Sequence, residues 1–308
     1  MKKVSALLVL TLSFFCLGCQ HQKKQVSKPE ASKGLTIVTS FYPLYAITNE
    51  LAGDVNQVQM LGSNSGIHGF DPSVKDVQRL HDADLFIYHS HILESWAKDV
   101  SKTIKGSSVV SLEAAKGLPL IRVKGLEDMP VAEGMDADRL NDPHSWLDPQ
   151  LVAKEAEHIS QTLQRLDPKH KQLYRKRTQH FKEKADRLDK DLQKRFAKAK
   201  QKVFVTQHTA FSYVANRYGL EQLGIAGVAE EEPGPRKLKE IKEFVDTYHV
   251  KTIFFEKNVS SKLAKTLADE SHITTKRLDP LETPPKGKGD YLDHLGKNLR
   301  HLADALAD

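Results

Sequence analysis

Of the 14 histidines in the chain, three fall where a metal could use them. His208 directly follows the apolar run KVFVTQ, His68 lies in GIHGFDP, and His144 lies in NDPHSWLDP, Asn141 to Pro149. Two carboxylates, Asp279 and Glu282, close the run TTKRLDPLE. Three neutral imidazole nitrogens with one carboxylate oxygen make a tetrahedral shell suited to Zn²⁺. Mn²⁺ is a poorer match, because it favours oxygen-rich sites. There is no HExxH, and both cysteines, Cys16 and Cys19, lie near the N-terminus, so the ligands would have to converge from separate stretches of chain. The stretch around His144 is stiff: Pro143 and the Asp148-Pro149 pair fix φ and restrict the residues before them. Asp142 or Asp148 is the expected acceptor for the second ring nitrogen of His144, as metal-bound histidines require. Trp146 reads as packing that holds this loop. His89 and His91, at the end of DLFIYHS, are reserve ligands. His158, His170, His180, His249, His294 and His301 fall on polar helical stretches and read as ordinary surface histidines.

An α/β organisation would bring these residues together. GLTIVTS, VNQVQML, DLFIYHS and SSVVSL read as strands. Between them, FYPLYAITNELAG, with Pro43 near its start and Gly53 past its end, reads as a helix. PSVKDVQRLHDA, with apolar Val74, Val77 and Leu80, reads as another. The stretch 121–143 has little periodicity and reads as a long loop. From Pro149 to about Lys200 strand formers are scarce, and Asp167-Pro168 divides two helices. In the second, Phe181, Ala185, Leu188, Leu192 and Phe196 form one apolar stripe. Strand–helix alternation then resumes with KVFVTQ, LEQLGIAGV, KTIFFE and TTKRLDPL, each followed by a helical pattern, the last being GDYLDHLGKNLRHLADAL. Such alternation predicts parallel sheets flanked by helices, with ligand sites at the carboxyl ends of strands. The predicted order is an N-terminal α/β lobe over 34–167, a long linking helix over 168–200 and a C-terminal α/β lobe over 201–308.

The first residues describe an export route. Two lysines precede an apolar run from Val4 to Leu17. That run is shorter than the roughly 20 residues of a membrane span and matches a signal-peptide core. Gly18 before Cys19 predicts a lipoprotein signal over 1–18, cleavage before Cys19 and a lipid on its sulfur. Residues 19–33 have the composition of a flexible tether. The exported part would then carry no disulfide and no thiolate ligand. The net charge of +6 is modest and spread out. It forms no basic stripe with interleaved aromatics, which argues against nucleic acid as a partner.

The segments TIVTSFYPLYAITNELAG, HGFDPSVKDVQRLHDADLFIYHS, DPHSWLDP, VFVTQHTAFSYVANRYGL, IFFEKNVSSKLAKTLADE and GDYLDHLGKNL resemble, in order, the cluster A-I metal-binding lipoproteins of bacterial ABC transporters. The resemblance runs over nearly the whole exported chain and is strongest to the streptococcal laminin-binding type. It implies two pseudo-symmetric lobes, each a mainly parallel four-stranded sheet, joined by one rigid helix with a metal in the interlobe cleft. Carried over, the ligands fall on His68, His144 and His208, and on Glu282 of Pro280-Leu281-Glu282 rather than Asp279. Histidine in TQHTAF, where manganese members have glutamate, implies zinc. The resemblance further implies a monomeric, non-enzymatic receptor at the outer face of the cell membrane. It would deliver Zn²⁺ to an ABC permease and its ATPase, with laminin or histidine-triad proteins as further partners. The stretch 121–143 has no histidine-rich insertion of the kind another zinc subgroup carries.

Overall fold

The computed structural model describes residues 34–62, 66–104, 107–123, 140–226, 234–256 and 262–308. The expected leader over 1–18, the tether over 19–33 with Cys19, and most of the 121–143 stretch lie outside the described residues.

The first sheet has four parallel strands: β1 (Thr36–Thr39), β2 (Gln57–Met60), β3 (Leu85–Tyr88) and β4 (Val110–Glu113), in the order β2-β1-β3-β4. Helices α1 (Tyr42–Ala52) and α2 (Val74–His81) form the expected crossovers. Helix α3 (Ala97–Thr103) was not legible in the sequence: it has seven residues and starts at Trp96 with no side-chain cap. On α2 only Leu80 is buried, and Val74 points to solvent at 89% exposure, so the expected apolar stripe is shorter by one residue. Within the stretch expected to be loop, β5 (Ile121–Arg122) pairs antiparallel with β6 (Asn141–Asp142). This two-rung ladder fixes the chain just before His144.

Helix α4 (Pro149–Leu166) begins on Asp148, whose side chain accepts from the Gln150 and Leu151 amides, with Pro149 as the first helical residue. A single 3₁₀ turn over Pro168–His170 separates it from α5 (Lys171–Phe196). With 26 residues, α5 runs about 39 Å at 1.5 Å per residue. Its predicted stripe, Phe181, Ala185, Leu188, Leu192 and Phe196, is buried throughout.

The second sheet repeats the order of the first. Its strands are β7 (Val203–His208), β8 (Glu221–Ala226), β9 (Thr252–Phe255) and β10 (Thr274–Arg277), arranged β10-β9-β7-β8 and parallel. In both sheets the first strand lies between the second and third, with the fourth beyond the third. Helices α6 (Ser212–Tyr218), α7 (Pro235–Thr247), α8 (Lys262–Glu270) and α9 (Tyr291–Ala307) follow the four strands in turn.

Alternation along the strands divides the interior. Ile37, Leu85, Ile87, Phe204 and Phe254 face one large core that also takes the buried faces of α1, α4, α5 and α9. Val38 and Phe86 face a smaller core with Leu80 and Val100. Val205 and Ile253 face another with Ile241 and Leu267. The large core runs from one sheet to the other through α5, so both sets of carboxyl-end loops are held on one apolar body. Its close packing shows at Gly296 of α9, where a Cβ would lie 2.9 Å from Leu188 Cδ1.

Candidate metal centre

His208 is the last residue of β7. The strand brings the ring to the sheet's carboxyl edge, and Thr206 Oγ1 and Gln222 Nε2 both donate to the His208 carbonyl, at 2.7 and 3.2 Å. Parallel pairing of β7 with β9 places Glu256 beside it, and His208 Nδ1 meets Glu256 Oε1. His144 follows β6. Asp142 Oδ1 accepts its backbone N–H at 2.8 Å and lies 2.6 Å from its Nδ1, while Asp142 Oδ2 accepts the Ser212 amide at 3.2 Å. Of the two expected partners Asp142 therefore orients this ring, and Asp148 serves instead as the α4 cap and pairs with Arg217. His68 lies between β2 and α2, two residues after Gly66 at φ +88°. A Cβ on Gly66 would come 3.3 Å from Glu282 Oε2.

Glu282 sits on a loop with an unusual backbone. Leu281 holds φ +56° while buried, a conformation that costs a non-glycine residue about 1–2 kcal/mol. Three side chains keep it there. Asp279 Oδ1 accepts the Leu281 amide at 2.8 Å. Asn298 donates from Nδ2 to the Asp279 carbonyl at 2.6 Å and accepts the Asp279 amide at 3.0 Å. Trp146 Nε1 donates to the Pro280 carbonyl at 2.8 Å. Tyr291 in turn donates its hydroxyl to the Trp146 carbonyl at 2.8 Å. Trp146 thus does more than pack: it links the His144 loop directly to the Glu282 loop. Asp279 shapes that loop, and Glu282 supplies the convergent carboxylate.

The four side chains meet at one point. His68 Nε2 lies 3.1 Å from both His144 Nε2 and Glu282 Oε1. His144 Nε2 is 3.3 Å from His208 Nε2 and 3.5 Å from Glu282 Oε1, and His208 Nε2 is 3.7 Å from Glu282 Oε1. A tetrahedron with metal–ligand bonds of about 2.05 Å has edges of about 3.35 Å, so these five separations bracket the ideal edge. One donor atom from each residue lies within 4.8 Å of the others, and this is the one such group of His, Cys, Asp or Glu among the described residues. His144, His208 and Glu282 are buried and His68 is partly exposed.

Electrostatics favour charge in this pocket. Burial alone would raise Glu282, but hydrogen bonds with His144 and His68 and the nearby imidazole charges hold its carboxyl far below the usual range. Burial would lower His144, but Asp142, and then Glu282, push it up to about 9. Burial likewise works against Asp142, which His144 nonetheless holds below the ordinary carboxylate range. Without a cation the cluster thus favours a protonated His144 between two carboxylates, and a metal ion would replace that proton.

The reserve histidines lie elsewhere. His91 Nδ1 pairs with Glu113 at 2.7 Å, and His89 is buried against Ser90 and Ser145. His158 Nδ1 bonds the Ala114 carbonyl at 2.8 Å. Sequence reasoning missed Glu256. The available signal was an acid at the carboxyl end of KTIFFE, a strand whose pairing with KVFVTQ only the sheet order reveals.

A family model described as zinc-uptake complex component A, periplasmic (ZnuA), matches residues 37–305. The chain belongs to this family. The high-affinity zinc uptake system protein ZnuA of Bacillus subtilis is 35% identical over 313 residues, covering 99% of this chain and 98% of that protein. The zinc-binding lipoprotein AdcA of Streptococcus pneumoniae is 35% identical over 309 residues, but this chain spans only 60% of its length. Among solved structures, a Zn(II)-bound variant of AdcAII from S. pneumoniae is 51% identical with a TM-score of 0.83, covering 89% of this chain and 99% of that one. The laminin-binding protein Lmb of Streptococcus agalactiae, described as a bifunctional protein with adhesin and metal transporting activity, is 49% identical with a TM-score of 0.81. It covers 89% of this chain and 100% of that one.

Proposed function

We propose that the chain captures Zn²⁺ through His68, His144, His208 and Glu282 and passes it to an ABC permease. The observation that carries this reading is the convergence of three Nε2 atoms and one carboxylate oxygen at tetrahedral spacing. Nitrogen-rich donors of this kind suit zinc, and outer carboxylates on His144 and His208 fix the ring orientations that coordination needs. Four protein donors fill a tetrahedral shell and leave no position for an activated water, which favours a receptor over a zinc hydrolase.

Within the same reading, 34–167 and 201–308 act as two lobes linked by 168–200. A lipid on Cys19 holds them at the outer face of the cell membrane, on a tether over 19–33. The sequence around Gly18-Cys19 supports this anchor, as do relatives described as lipoproteins. No helix among the described residues is long and apolar enough to cross a membrane.

The test is metal analysis of protein purified without added metal, followed by calorimetric titration of His208→Ala with Zn²⁺. The wild type should hold about one zinc in a four-ligand shell, and His208→Ala should bind far more weakly. Unchanged affinity in that variant would refute the ligand set, and a three-ligand shell with bound water would favour the hydrolase. Laminin binding is a second proposal, resting on near-50% identity to streptococcal laminin-binding proteins. Attachment that disappears at moderate salt would reduce it to charge attraction.

A further inference from the structure

The turn that carries His144 is anchored by its next residue in a buried polar cluster. Ser145 Oγ donates to Glu155 Oε1 at 2.8 Å and lies 2.9 Å from His89 Nε2. A hydroxyl has one proton; with that proton given to Glu155, Ser145 accepts from His89 Nε2–H. Glu94 holds His89 in place. Its carboxylate accepts the His89 and Ser90 amides at 3.0 and 2.9 Å and the Ser40 hydroxyl at 2.5 Å. His89, Glu94, Ser145 and Glu155 are each no more than 2% exposed.

Packing alone does not explain this arrangement. Burying a carboxyl group is unfavourable unless its oxygens are hydrogen-bonded, and apolar residues of similar volume would fill the space at less cost. Glu155 is an extreme case: its Oε2 is buried with no hydrogen-bond partner, and its Oε1 faces Ser145 and, at 3.4 Å, His89. A connected buried network does, however, select one geometry. Here the selected geometry is that of the 3₁₀ turn Ser145–Leu147, which begins at His144.

We propose that His89 and Glu155 are positioning residues for zinc capture: acting through the Ser145 hydroxyl, they fix the turn that aims His144 at the centre. The proposal rests on the zinc reading above and adds residues that do not touch the ion.

The test uses the full chain and three readouts: Zn²⁺ affinity by chelator competition, the visible absorption of the Co²⁺-loaded protein, and thermal unfolding of the metal-free protein. Ser145→Ala cuts the tether and leaves His89 and Glu155 free to pair directly, so the cluster survives. It should weaken zinc binding about 10- to 100-fold, the range for outer partners of metal ligands, and alter the cobalt spectrum. Glu155→Leu leaves the buried Ser145 hydroxyl without that acceptor, so the melting temperature of the metal-free protein should fall, and it should weaken zinc and alter the cobalt band. Glu155→Gln keeps an oxygen acceptor for Ser145 and should stay nearer to wild type than Glu155→Leu. Zinc affinity and cobalt spectra unchanged in Ser145→Ala and Glu155→Leu would overturn the proposal, whatever their melting temperatures, and leave the zinc reading intact. Failure of the wild type itself to bind either metal would overturn both.

Discussion

Replacing Asp142 by Asn removes one charge from behind His144 while nearly conserving shape, and its cost should depend on pH in a predictable direction. Asp142 Oδ1 lies 2.6 Å from His144 Nδ1. Across the ring and a Zn–N bond of about 2 Å, the carboxylate charge is about 6.5 Å from the ion. At an effective dielectric of about 20, a unit charge and a dication at that distance attract by about 5 kcal/mol. The same carboxylate also helps push His144 up to about 9. Near pH 7 zinc must therefore displace a tightly held proton, at a cost on the order of 3 kcal/mol that the variant largely escapes. The net loss near pH 7 is about 2 kcal/mol, or roughly 30-fold, inside the range measured for outer-shell partners. Near pH 9 the wild-type proton is already leaving, and the loss should grow toward the full 5 kcal/mol or so. Chelator-competition titrations of both proteins at the two pH values provide the assay. Asn also turns its amide toward the Ser212 N–H, so metal-free stability should fall by about 1–3 kcal/mol, which thermal unfolding measures separately. An affinity loss that is equal at both pH values, or larger near pH 7, would refute the argument that Asp142 acts through the charge of His144.

Zinc binding near neutral pH should release about one proton from His144, seen as a calorimetric enthalpy that varies with the buffer's ionisation enthalpy. His144 in the folded metal-free protein titrates above its unfolded value of 6.5; its stabilising contribution is full below that value and is lost as pH rises through about 9. Glu282 is shifted the other way, so its contribution is present above about 4.5 and lost as pH falls toward its lowered folded value. The melting temperature of the metal-free protein should therefore peak between these limits; an optimum near pH 9 would contradict the His144 assignment, and no loss on acidification below about 4.5 would contradict that of Glu282. Trp146→Phe leaves the buried Pro280 carbonyl without its donor and should cost about 1–3 kcal/mol, with weaker zinc binding because two ligand loops lose their link; unaltered zinc affinity would sever that link. Leu281→Gly relieves the positive φ but deletes a buried core side chain, so metal-free stability should fall by about 1–3 kcal/mol net, and a rise in melting temperature would show that the backbone strain outweighs the packing of the side chain.

The elements that position the centre were legible because they are long or strongly patterned. The α5 stripe, the Pro-initiated helices and the β-branched strands each carry a local signal, and their alternation predicts parallel sheets. What escaped was local structure settled by distant partners. Two-residue β5 and β6 exist only through each other. Helix α3 lacks a cap, and Val74 satisfies helical periodicity yet has no neighbour to bury it. The same division holds at the centre. His68, His144, His208 and Glu282 stand out as polar residues at predicted strand ends or in stiff loops. Glu256, His89 and Glu155 matter through contacts across paired strands and between separate elements, which no spacing along the chain records. Asp279 and Glu282, three residues apart, were separable by resemblance alone until the Leu281 backbone showed how one shapes the loop for the other.

The repeated strand order has a consequence for how firmly the ion is held. Two donors, His68 and His144, come from loops around the first sheet, and two, His208 and Glu282, belong to the second. Zinc bound as proposed is therefore gripped by two bidentate halves, neither of which is a good chelator alone. Displacing one sheet from the other by about a bond length, or about 2 Å, would halve the denticity in one movement. Retention and surrender of the ion then become a near all-or-none property of the fit between the halves.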